Sequence, residues 1–247
     1  MTATVLFIGG MDSSGGAGIL RDTATAAELA HPARVAVTAV TAQSDTRVGA
    51  VHPVPPEVVA DQIAIAAEGA LGAVKIGMLG NRATVEAVTR TSPDLPMVLD
   101  PVLASSSGRD LIDAEGLAAL LDLLLPRLTL LTPNLPELAR LATALGHAPD
   151  APEAEVVATL LARGCGAVLV KGGHGEDPEI SEDRLYHAGR VQPFRASRHR
   201  VHLRGTGCQL ASAIAVHLAR GASLPDSVAQ AKEMLTRRFA RAVAGQG

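Results

Sequence analysis

The sequence has almost no aromatic side chains, with no Trp, one Tyr and three Phe in 247 residues. Proteins that bind single-stranded nucleic acid without sequence preference stack the bases on aromatic rings, so that kind of platform is excluded. An excess of one charge is also lacking, because 22 Lys and Arg are scattered among 25 Asp and Glu and the net charge is −3. We therefore expect no nucleic-acid surface and no polybasic membrane patch, and a small molecule as the partner.

Cysteine and long apolar runs are scarce as well. Cys165 and Cys208 show no CxxC or Cys/His spacing of the kind that binds zinc, and they do not indicate an oxidising compartment. No apolar run approaches the roughly 18 residues of a membrane helix, and the apolar start meets a glycine too early for a signal peptide. We therefore expect a cytoplasmic protein without membrane association.

The sequence does contain short apolar, β-branched segments that alternate with longer helical ones. Hydrophobic residues make up 47% of the chain, which is enough for a substantial core in a single domain spanning residues 1–247. The apolar segments lack period-two alternation, as in a parallel sheet covered on both faces. Six βα units predict an α/β fold with a doubly wound, mostly parallel sheet and helices on both faces.

The alternation changes after the sixth unit. The segment GHGEDPEISEDRL, residues 173–185, has loop character, and RLYHAGRVQPFRA, residues 184–196, predicts two strands about a glycine turn. Two helices are predicted over residues 206–219 and 225–244. Ligands of open parallel sheets bind beyond the carboxyl ends of the strands, and glycine and polar residues concentrate in the segments that leave those ends.

The first strand leads into GGMDSSGGAG, residues 9–18. Its glycines permit positive φ and close approach of the backbone to a ligand, and the helix that follows offers free N–H groups to an anion. Neither a Walker loop nor a dinucleotide fingerprint is present. Asp12 could accept a hydrogen bond from a substrate or cap a glycine-rich turn, and both interpretations stay open at this point.

Acidic and basic side chains follow three later strands. Asp100 ends the strand VLD, Asn134 and Glu137 lie three residues apart in TPNLPE, and Lys171 follows VLV. Two carboxylates and an amide are typical of a sparse Mg²⁺ site that phosphates and water complete, and Lys171 is a candidate phosphate contact. For Asn134 and Glu137 the alternative is a capping box at the start of a helix, which the local sequence favours. For Lys171 the alternative is an exposed lysine at a turn.

The segment RGTGC, residues 204–208, precedes a helix. Gly205, Thr206 and Gly207 can turn amide N–H groups toward an anion, and the helix dipole would favour the thiolate of a cysteine in the first turn. Cys208 is therefore a candidate reactive thiol, although packing in the core is the more common role of a free cysteine. Cys165 lacks such a setting and is expected to pack in the core.

Seven motifs in order resemble those of one family: GGMDSSGGAGILRD, TAVTAQ, KIGMLG, VLDPV, TPNLPE, VKGGH and GTGCQLASAIA. They are similar to the hydroxymethylpyrimidine/phosphomethylpyrimidine kinases of thiamine biosynthesis, which have a ribokinase-like fold, and pyridoxal kinases share several of them. The resemblance spans about residues 3–240. It implies ATP-dependent transfer of a γ-phosphoryl group to the hydroxymethyl group of an aminopyrimidine, and then to the resulting monophosphate.

The same resemblance implies roles for individual residues. Cys208 would act at the acceptor hydroxyl, where most relatives with this fold have Asp, and the amides of residues 205–207 would stabilise charge on the transferring group. The pyrimidine pocket would be lined by Gly10, Asp12, Gln43 and Met78. Gln43 suits this role because its amide is both a donor and an acceptor.

The nucleotide side is assigned in the same way. The resemblance implies ATP and Mg²⁺ as cofactors, with Asp100 and Glu137 as metal ligands. It also implies phosphate contacts from Lys171, Asn134, Glu137 and Arg204. A homodimer is expected, as in the relatives.

The chain departs from the family pattern at three positions. Ala24 stands where a lysine is usual two residues after Asp22, Arg204 replaces a histidine, and Ser106 stands where Lys or Thr is common. Arg21 could take over the role of the missing lysine. The departures at Ala24 and Arg204 keep a non-catalytic, pyrimidine-binding relative open as an alternative, and the motifs shared with pyridoxal kinases keep a pyridoxal kinase open.

Overall fold

A nine-stranded sheet runs through the part of the chain that the computed structural model describes, which is residues 3–105, 108–174, 177–199, 201 and 203–245. The strands are β1 (Thr4–Asp12), β2 (Ala33–Gln43), β3 (Val48–Pro53), β4 (Leu71–Ile76), β5 (Met97–Leu99), β6 (Leu130–Leu131), β7 (Ala167–Val170), β8 (Ile180–His187) and β9 (Arg190–Ser197). Their order in the sheet is β3-β2-β1-β4-β5-β6-β7-β8-β9. The six strands from β2 to β7 in this order are parallel, and antiparallel strands extend both edges.

Helices cover both faces of this sheet, as the sequence predicts. They are α1 (Gly18–Glu28), α2 (Pro56–Ala67), α3 (Arg82–Thr91), α4 (Ala114–Ala119), α5 (Leu135–Ala144), α6 (Glu153–Ala162), α7 (Thr206–Ala219) and α8 (Leu224–Ala244). A π-helical turn, Leu120–Leu124, and a 3-10 turn, Leu125–Arg127, follow α4 directly. Within the described ranges, no helix combines the length and the apolar character needed to cross a membrane.

Alternate residues of each strand supply the two cores, because successive side chains of a strand point to opposite faces. Val5 and Phe7 of β1 pack in a core with α1, α7 and α8. Leu6 and Ile8 pack in the other core with residues of α2 to α6. The strands are apolar on both faces for this reason, and the predicted doubly wound α/β fold is confirmed.

Two segments differ from the sequence prediction. Residues 41–49 are expected to leave β2 as a loop, but β2 continues to Gln43 and β3 pairs antiparallel with it. Residues 173–185 are expected to form a loop, but β8 begins at Ile180 and pairs with β7 and β9. β8 is polar, and cross-strand pairing rather than an apolar sequence stabilises it, whereas β3 is a short edge strand that pairs with β2.

The strand order opens a crevice at the carboxyl end of β1. The chain passes from β1 to β2 on one side and then to β4 on the other, and ligands of such sheets bind at the switch point. Glycines keep this region compact: a Cβ on Gly10 would lie 3.0 Å from Met78 Sδ. Gly18 has a φ of 61° and packs directly against the Gly10 carbonyl, so the loop from β1 to α1 folds tightly beside the crevice.

A buried ion pair connects α1, β4 and α7 below this crevice. Lys75 Nζ donates to both carboxylate oxygens of Asp22 at 3.0 and 2.9 Å, and Ser212 Oγ donates to Asp22 Oδ1 at 2.7 Å. Burial would lower the pKa of Lys75, but the carboxylate of Asp22 raises it above its ordinary value. Because both charges are removed from water, each depends on the other for its stability.

Removal of one partner of this pair should destabilise the fold. Lys75→Met leaves the Asp22 carboxylate buried without its counter-ion, and we expect the free energy of unfolding to fall by about 3 kcal/mol or more. The double variant Asp22→Leu, Lys75→Met removes both charges and should recover most of that loss. Urea denaturation of the parent, both single variants and the double variant measures the coupling, and strictly additive losses would contradict it.

Candidate active site

A cavity of about 660 Å³ lies at the carboxyl edge of the sheet. Its walls come from every segment that the sequence places there, namely 9–18, 41–49, 77–81, 100–108, 132–137, 171–175 and 204–208. Each residue to which the resemblance gives a role lines this cavity. The structure thus brings together side chains from seven separate loops, and the contacts among them indicate what each can do.

Lys171 lies between two carboxylates in this cavity. Its Nζ is 2.7 Å from Asp100 Oδ1 and 3.6 Å from Glu137 Oε2. Burial would lower the pKa of Lys171, but both carboxylates raise it, so the ammonium group stays charged. Burial would also raise the pKa of Asp100, but Lys171 and Lys75 hold it below its ordinary value. Lys171 is therefore a paired, buried cation and not the exposed lysine of the alternative interpretation.

Asn134 and Glu137 form the capping box that the local sequence favours. Asn134 Oδ1 accepts a hydrogen bond from the Glu137 amide at 2.8 Å, and Glu137 Oε2 accepts one from the Asn134 amide at 2.7 Å. Glu137 nevertheless faces the cavity and Lys171. Burial raises the pKa of Glu137 by more than Lys171 lowers it. Glu137 therefore caps the helix and lines the cavity at the same time.

The N-terminus of α7 lines the cavity. Gly205 precedes the helix with a φ of 69°, and the first helical hydrogen bond runs from the Gln209 amide to its carbonyl at 2.9 Å. The amides of Thr206, Gly207 and Cys208 precede that bond and have no partner within the helix. A Cβ on Gly207 would lie 3.1 Å from Lys171 Nζ, so glycine allows the ammonium group to approach this turn.

Cys208 lines the cavity but is buried, and the expectation of a favoured thiolate is wrong for this structure. Burial raises the pKa of Cys208 to about 12, although the Lys75 ammonium group lowers it. The carboxylates of Asp100 and Asp22 add to the increase, and the thiol donates a hydrogen bond to Asp100. Loss of water and two nearby negative charges therefore outweigh the helix dipole and Lys75.

Asp12 organises the loop between β1 and α1. It accepts hydrogen bonds from the amides of Ser14 at 2.9 Å and Ala17 at 3.0 Å, in agreement with the turn-capping interpretation. It also accepts one from Arg204 Nη2 at 3.2 Å. Arg204 is expected at the nucleotide phosphates, and in the structure its guanidinium group is paired with Asp12 and Asp45.

The remaining pocket residues lie on the same side as Asp12. Met78 is buried, and its carbonyl accepts a hydrogen bond from Thr38 Oγ1 at 2.6 Å. The Gln43 amide N–H donates to Ser13 Oγ at 2.9 Å, which fixes the backbone. Gln43 Oε1 accepts a bond of 3.3 Å from Thr41, so its side-chain amide keeps donor capacity for a ligand.

The sequence interpretation missed two buried lysines that line the cavity. Lys75 lies in the otherwise apolar segment AVKIGML, and a charge within a buried strand is the signal that identifies it. Lys232 on α8 donates to Asp183 Oδ2 at 2.7 Å, which explains why the polar strand β8 is held against α8. Both lysines require carboxylates from distant segments, and no local pattern predicts such partners.

The three departures from the family pattern occupy different places. Ala24 is exposed on α1 and does not line the cavity. Arg21, expected to compensate for it, donates to the Gly15 carbonyl at 3.5 Å and lies outside the cavity lining. Ser106 lies outside the described residues. Arg204 is thus the departure that the structure places in the site.

The expected metal ligands are Asp100 and Glu137. The described residues contain no cluster of three or more His, Cys, Asp or Glu side chains that could hold a metal ion by themselves. Both carboxylates contact Lys171. Any divalent cation here would need further oxygen atoms, such as those of a nucleotide.

Comparisons with known proteins identify the family of the chain. A family model described as phosphomethylpyrimidine kinase matches residues 12–246. The hydroxymethylpyrimidine/phosphomethylpyrimidine kinase of Escherichia coli (strain K12) is 38% identical over 242 residues, covering 96% of this chain and 91% of that protein. The enzyme of the same name from Mycobacterium tuberculosis (strain ATCC 25618 / H37Rv) is 41% identical over 238 residues, covering 94% and 86%.

Solved structures show the same relationship. The phosphomethylpyrimidine kinase of Clostridium difficile 630 has a TM-score of 0.77 and 30% identity, covering 98% of this chain and 99% of that chain. The pyridoxal kinase of Staphylococcus aureus in complex with pyridoxal has a TM-score of 0.85 and 28% identity, covering 97% and 88%. Because the family pattern extends over almost its whole length, the chain belongs to the phosphomethylpyrimidine kinase family of ribokinase-like phosphotransferases.

Proposed function

We propose that the protein transfers the γ-phosphoryl group of ATP to the hydroxymethyl group of an aminopyrimidine and then phosphorylates the resulting monophosphate. One observation carries this proposal: the amides that begin α7 and the Cys208 thiol meet Lys171 and Asp100 in a single cavity. Phosphoryl transfer depends mainly on positioning and on neutralisation of charge, and this arrangement supplies both.

The acceptor binds on the side of β1 and β4. Gly10 and Met78 provide a surface for the flat ring, and Gln43 offers its side-chain amide to the aminopyrimidine edge. Asp12 holds the loop from β1 to α1 in place through the amides of Ser14 and Ala17. The hydroxymethyl group then points toward Cys208.

Transfer takes place at the N-terminus of α7. The amides of Gly205, Thr206 and Gly207 donate to the transferring group, whose negative charge the helix dipole also favours. Cys208 contacts the acceptor hydroxyl. As the new oxygen–phosphorus bond forms and the bond to ADP breaks, the Cys208 sulfur takes the hydroxyl proton while the thiol proton passes to the Asp100 carboxylate to which it is hydrogen-bonded. Because phosphoryl transfer passes through a loose transition state, the proton leaves late, and the site does not need a preformed thiolate.

The nucleotide phosphates bind on the side of Lys171. Its ammonium group, with the Asn134 side chain, contacts the phosphate oxygens, and Arg204, which is paired with Asp12 and Asp45, is not assigned to this contact. Asp100 and Glu137 fit Mg²⁺ in donor chemistry, since this ion takes one or two carboxylates and completes its shell with phosphates and water. The ion would neutralise charge on the phosphates, and Lys171 would remain their protein cation.

We also propose that the protein acts in the cytoplasm, as one domain and as a homodimer. The composition and the resemblance to the family support these assignments. None of them alters the residue roles in the cavity, which come from a single chain.

A pyridoxal kinase is the second candidate, because the structural similarity to a pyridoxal kinase is greater than that to the Clostridium enzyme. The sequence relatives favour the pyrimidine. Mass spectrometry of the products formed from ATP and three separate acceptors decides between them: the pyrimidine alcohol, its monophosphate and pyridoxal. We expect the monophosphate and diphosphate of the pyrimidine. Faster turnover of pyridoxal would overturn the assignment, and no product from any acceptor would indicate a non-catalytic relative.

Replacement of Cys208 should reduce turnover rather than folding. We expect Cys208→Ala to lower kcat by more than about tenfold, which corresponds to roughly 1.4 kcal/mol of barrier, because the acceptor hydroxyl loses its proton acceptor. Cys165→Ala is the matched control, since that cysteine is buried outside the cavity. Steady-state kinetics with the pyrimidine alcohol measures both variants, and a Cys208→Ala enzyme within tenfold of the parent would remove the assigned role.

Replacement of Asp100 should raise the requirement for Mg²⁺. Asp100→Asn removes one proposed ligand charge, and we expect the Mg²⁺ concentration for half-maximal activity to rise by about tenfold or more. Asp94→Asn is the control, because Asp94 is exposed and lies outside the cavity lining. Because Asp100→Asn also breaks the ion pair with Lys171, thermal unfolding of each variant measures whether it is still folded. An unchanged Mg²⁺ titration in a folded Asp100→Asn protein would exclude Asp100 as a ligand.

A further inference from the structure

Arg204 joins three segments at the acceptor end of the cavity. Its Nη1 donates to Asp45 Oδ1 at 2.7 Å and to Ser14 Oγ at 2.9 Å, and its Nη2 donates to Asp12 Oδ2 at 3.2 Å. Asp12 and Ser14 belong to the segment where β1 leads into α1, and Asp45 lies in the turn between β2 and β3. The guanidinium group therefore lies where the acceptor pocket meets the turn that begins α7.

The two carboxylates around Arg204 differ in exposure. The Asp12 side chain is 5% exposed and also binds the amides of Ser14 and Ala17, whereas the Asp45 side chain is 81% exposed. Exposed ion pairs contribute little net free energy, because water and salt compete with them. The bond to Asp12 is thus a fixed part of the loop, and the bond to Asp45 is the one that an anionic ligand can replace.

Two further contacts position Arg204, one at its guanidinium group and one at its backbone. Gly16 lies directly against it, since a Cβ there would be 2.8 Å from Nη1 and 3.0 Å from Cζ. Arg238 on α8 donates to the Arg204 carbonyl at 3.1 Å. The Nε of Arg204 is buried and has no hydrogen-bond partner among the described residues. An arginine held in this way is preorganised for the oxygen atoms of a phosphate.

The turn before α7 separates Arg204 from the nucleotide side. At one end of this turn, Gly205 packs against the Gly16 carbonyl and the Arg21 side chain. At the other end, Gly207 approaches Lys171 and Asp100. The nucleotide phosphates are assigned to the Gly207 end. A cation at the Gly205 end is consequently available to the acceptor, and the Arg21 side chain adds positive charge on that side.

We infer that Arg204 is the specificity-determining residue for a phosphorylated acceptor, and that its guanidinium group exchanges Asp45 for the phosphate of the pyrimidine monophosphate. This inference rests on the proposed function and deepens it. Two successive transfers require one pocket to accept first a neutral alcohol and then a phosphomonoester. With the alcohol, Asp45 neutralises Arg204; with the monophosphate, phosphate oxygens take its place.

The test is the ratio of kcat/KM for the monophosphate to kcat/KM for the alcohol, measured at saturating Mg·ATP. We expect Arg204→Ala to lower this ratio by about thirtyfold or more, the scale of a lost charge-assisted hydrogen bond. Asp45→Asn should raise the ratio by about threefold, the scale of an exposed ion pair, because the competing carboxylate is gone. In the Arg204→Ala background, Asp45→Asn should have no further effect on the ratio.

Arg47→Ala is the matched control, because it removes the same charge from an exposed position in the same turn as Asp45. It should leave the ratio within about twofold of the parent value, as expected for an exposed charge. An equal loss with both acceptors in Arg204→Ala would show that Arg204 only holds the loops together. If Arg47→Ala changed the ratio as much as Arg204→Ala, the effect would come from the loss of any nearby positive charge and not from Arg204 itself. Either result overturns the inference.

Calorimetric binding of the monophosphate without nucleotide separates this inference from the proposed function. We expect Arg204→Ala to weaken that binding by a factor similar to its effect on the ratio, and Arg204→Lys to weaken it less, since lysine keeps the charge but not the paired donors. If the parent forms no product, the proposed function fails while the binding comparison still decides the role of Arg204. Equal affinity of the parent and Arg204→Ala for the monophosphate would exclude that role of Arg204.

Discussion

A row of buried charges, in which each ion is neutralised by the next, underlies the whole site. Asp22, Lys75, Asp100, Lys171 and Glu137 alternate in sign along the carboxyl edge of the sheet. Any one of them alone would cost several kcal/mol to remove from water, so each depends on its neighbours to stay charged. The row has three carboxylates and two ammonium groups, and the surplus negative charge suits a divalent cation that arrives with a nucleotide.

Burial and the carboxylates of this row together determine the state of Cys208. Its thiol lies against Asp100 with Lys75 and Asp22 nearby, and burial raises its pKa to about 12. A thiolate would add a further charge to a row that is already negative. The ligand-free protein therefore keeps a neutral thiol, which protects the cysteine from oxidation, because the thiolate is the reactive form.

The sequence predicted the parallel core and the cavity residues, because apolar segments and glycine turns are local signals. It predicted α7 over residues 206–219, where the structure has it. It did not reveal Lys75 or Lys232, whose carboxylate partners come from distant segments. The thiolate expectation for Cys208 failed for a related reason. The helix start is visible locally, but the burial of the thiol, and the carboxylates of Asp22 on α1 and Asp100 just after β5, are brought about by the fold.

The departures from the family pattern argue for a working kinase rather than a site that has drifted. Ala24 is exposed on α1, away from the row of charges, and Arg21 contacts the Gly15 carbonyl. Arg204 is the departure inside the cavity, and its guanidinium group is held by Asp12 and fits closely against Gly16. Neither Ala24 nor Arg21 lines the cavity or belongs to the charged row, whereas Arg204 lines the cavity and contacts Asp12 and Asp45.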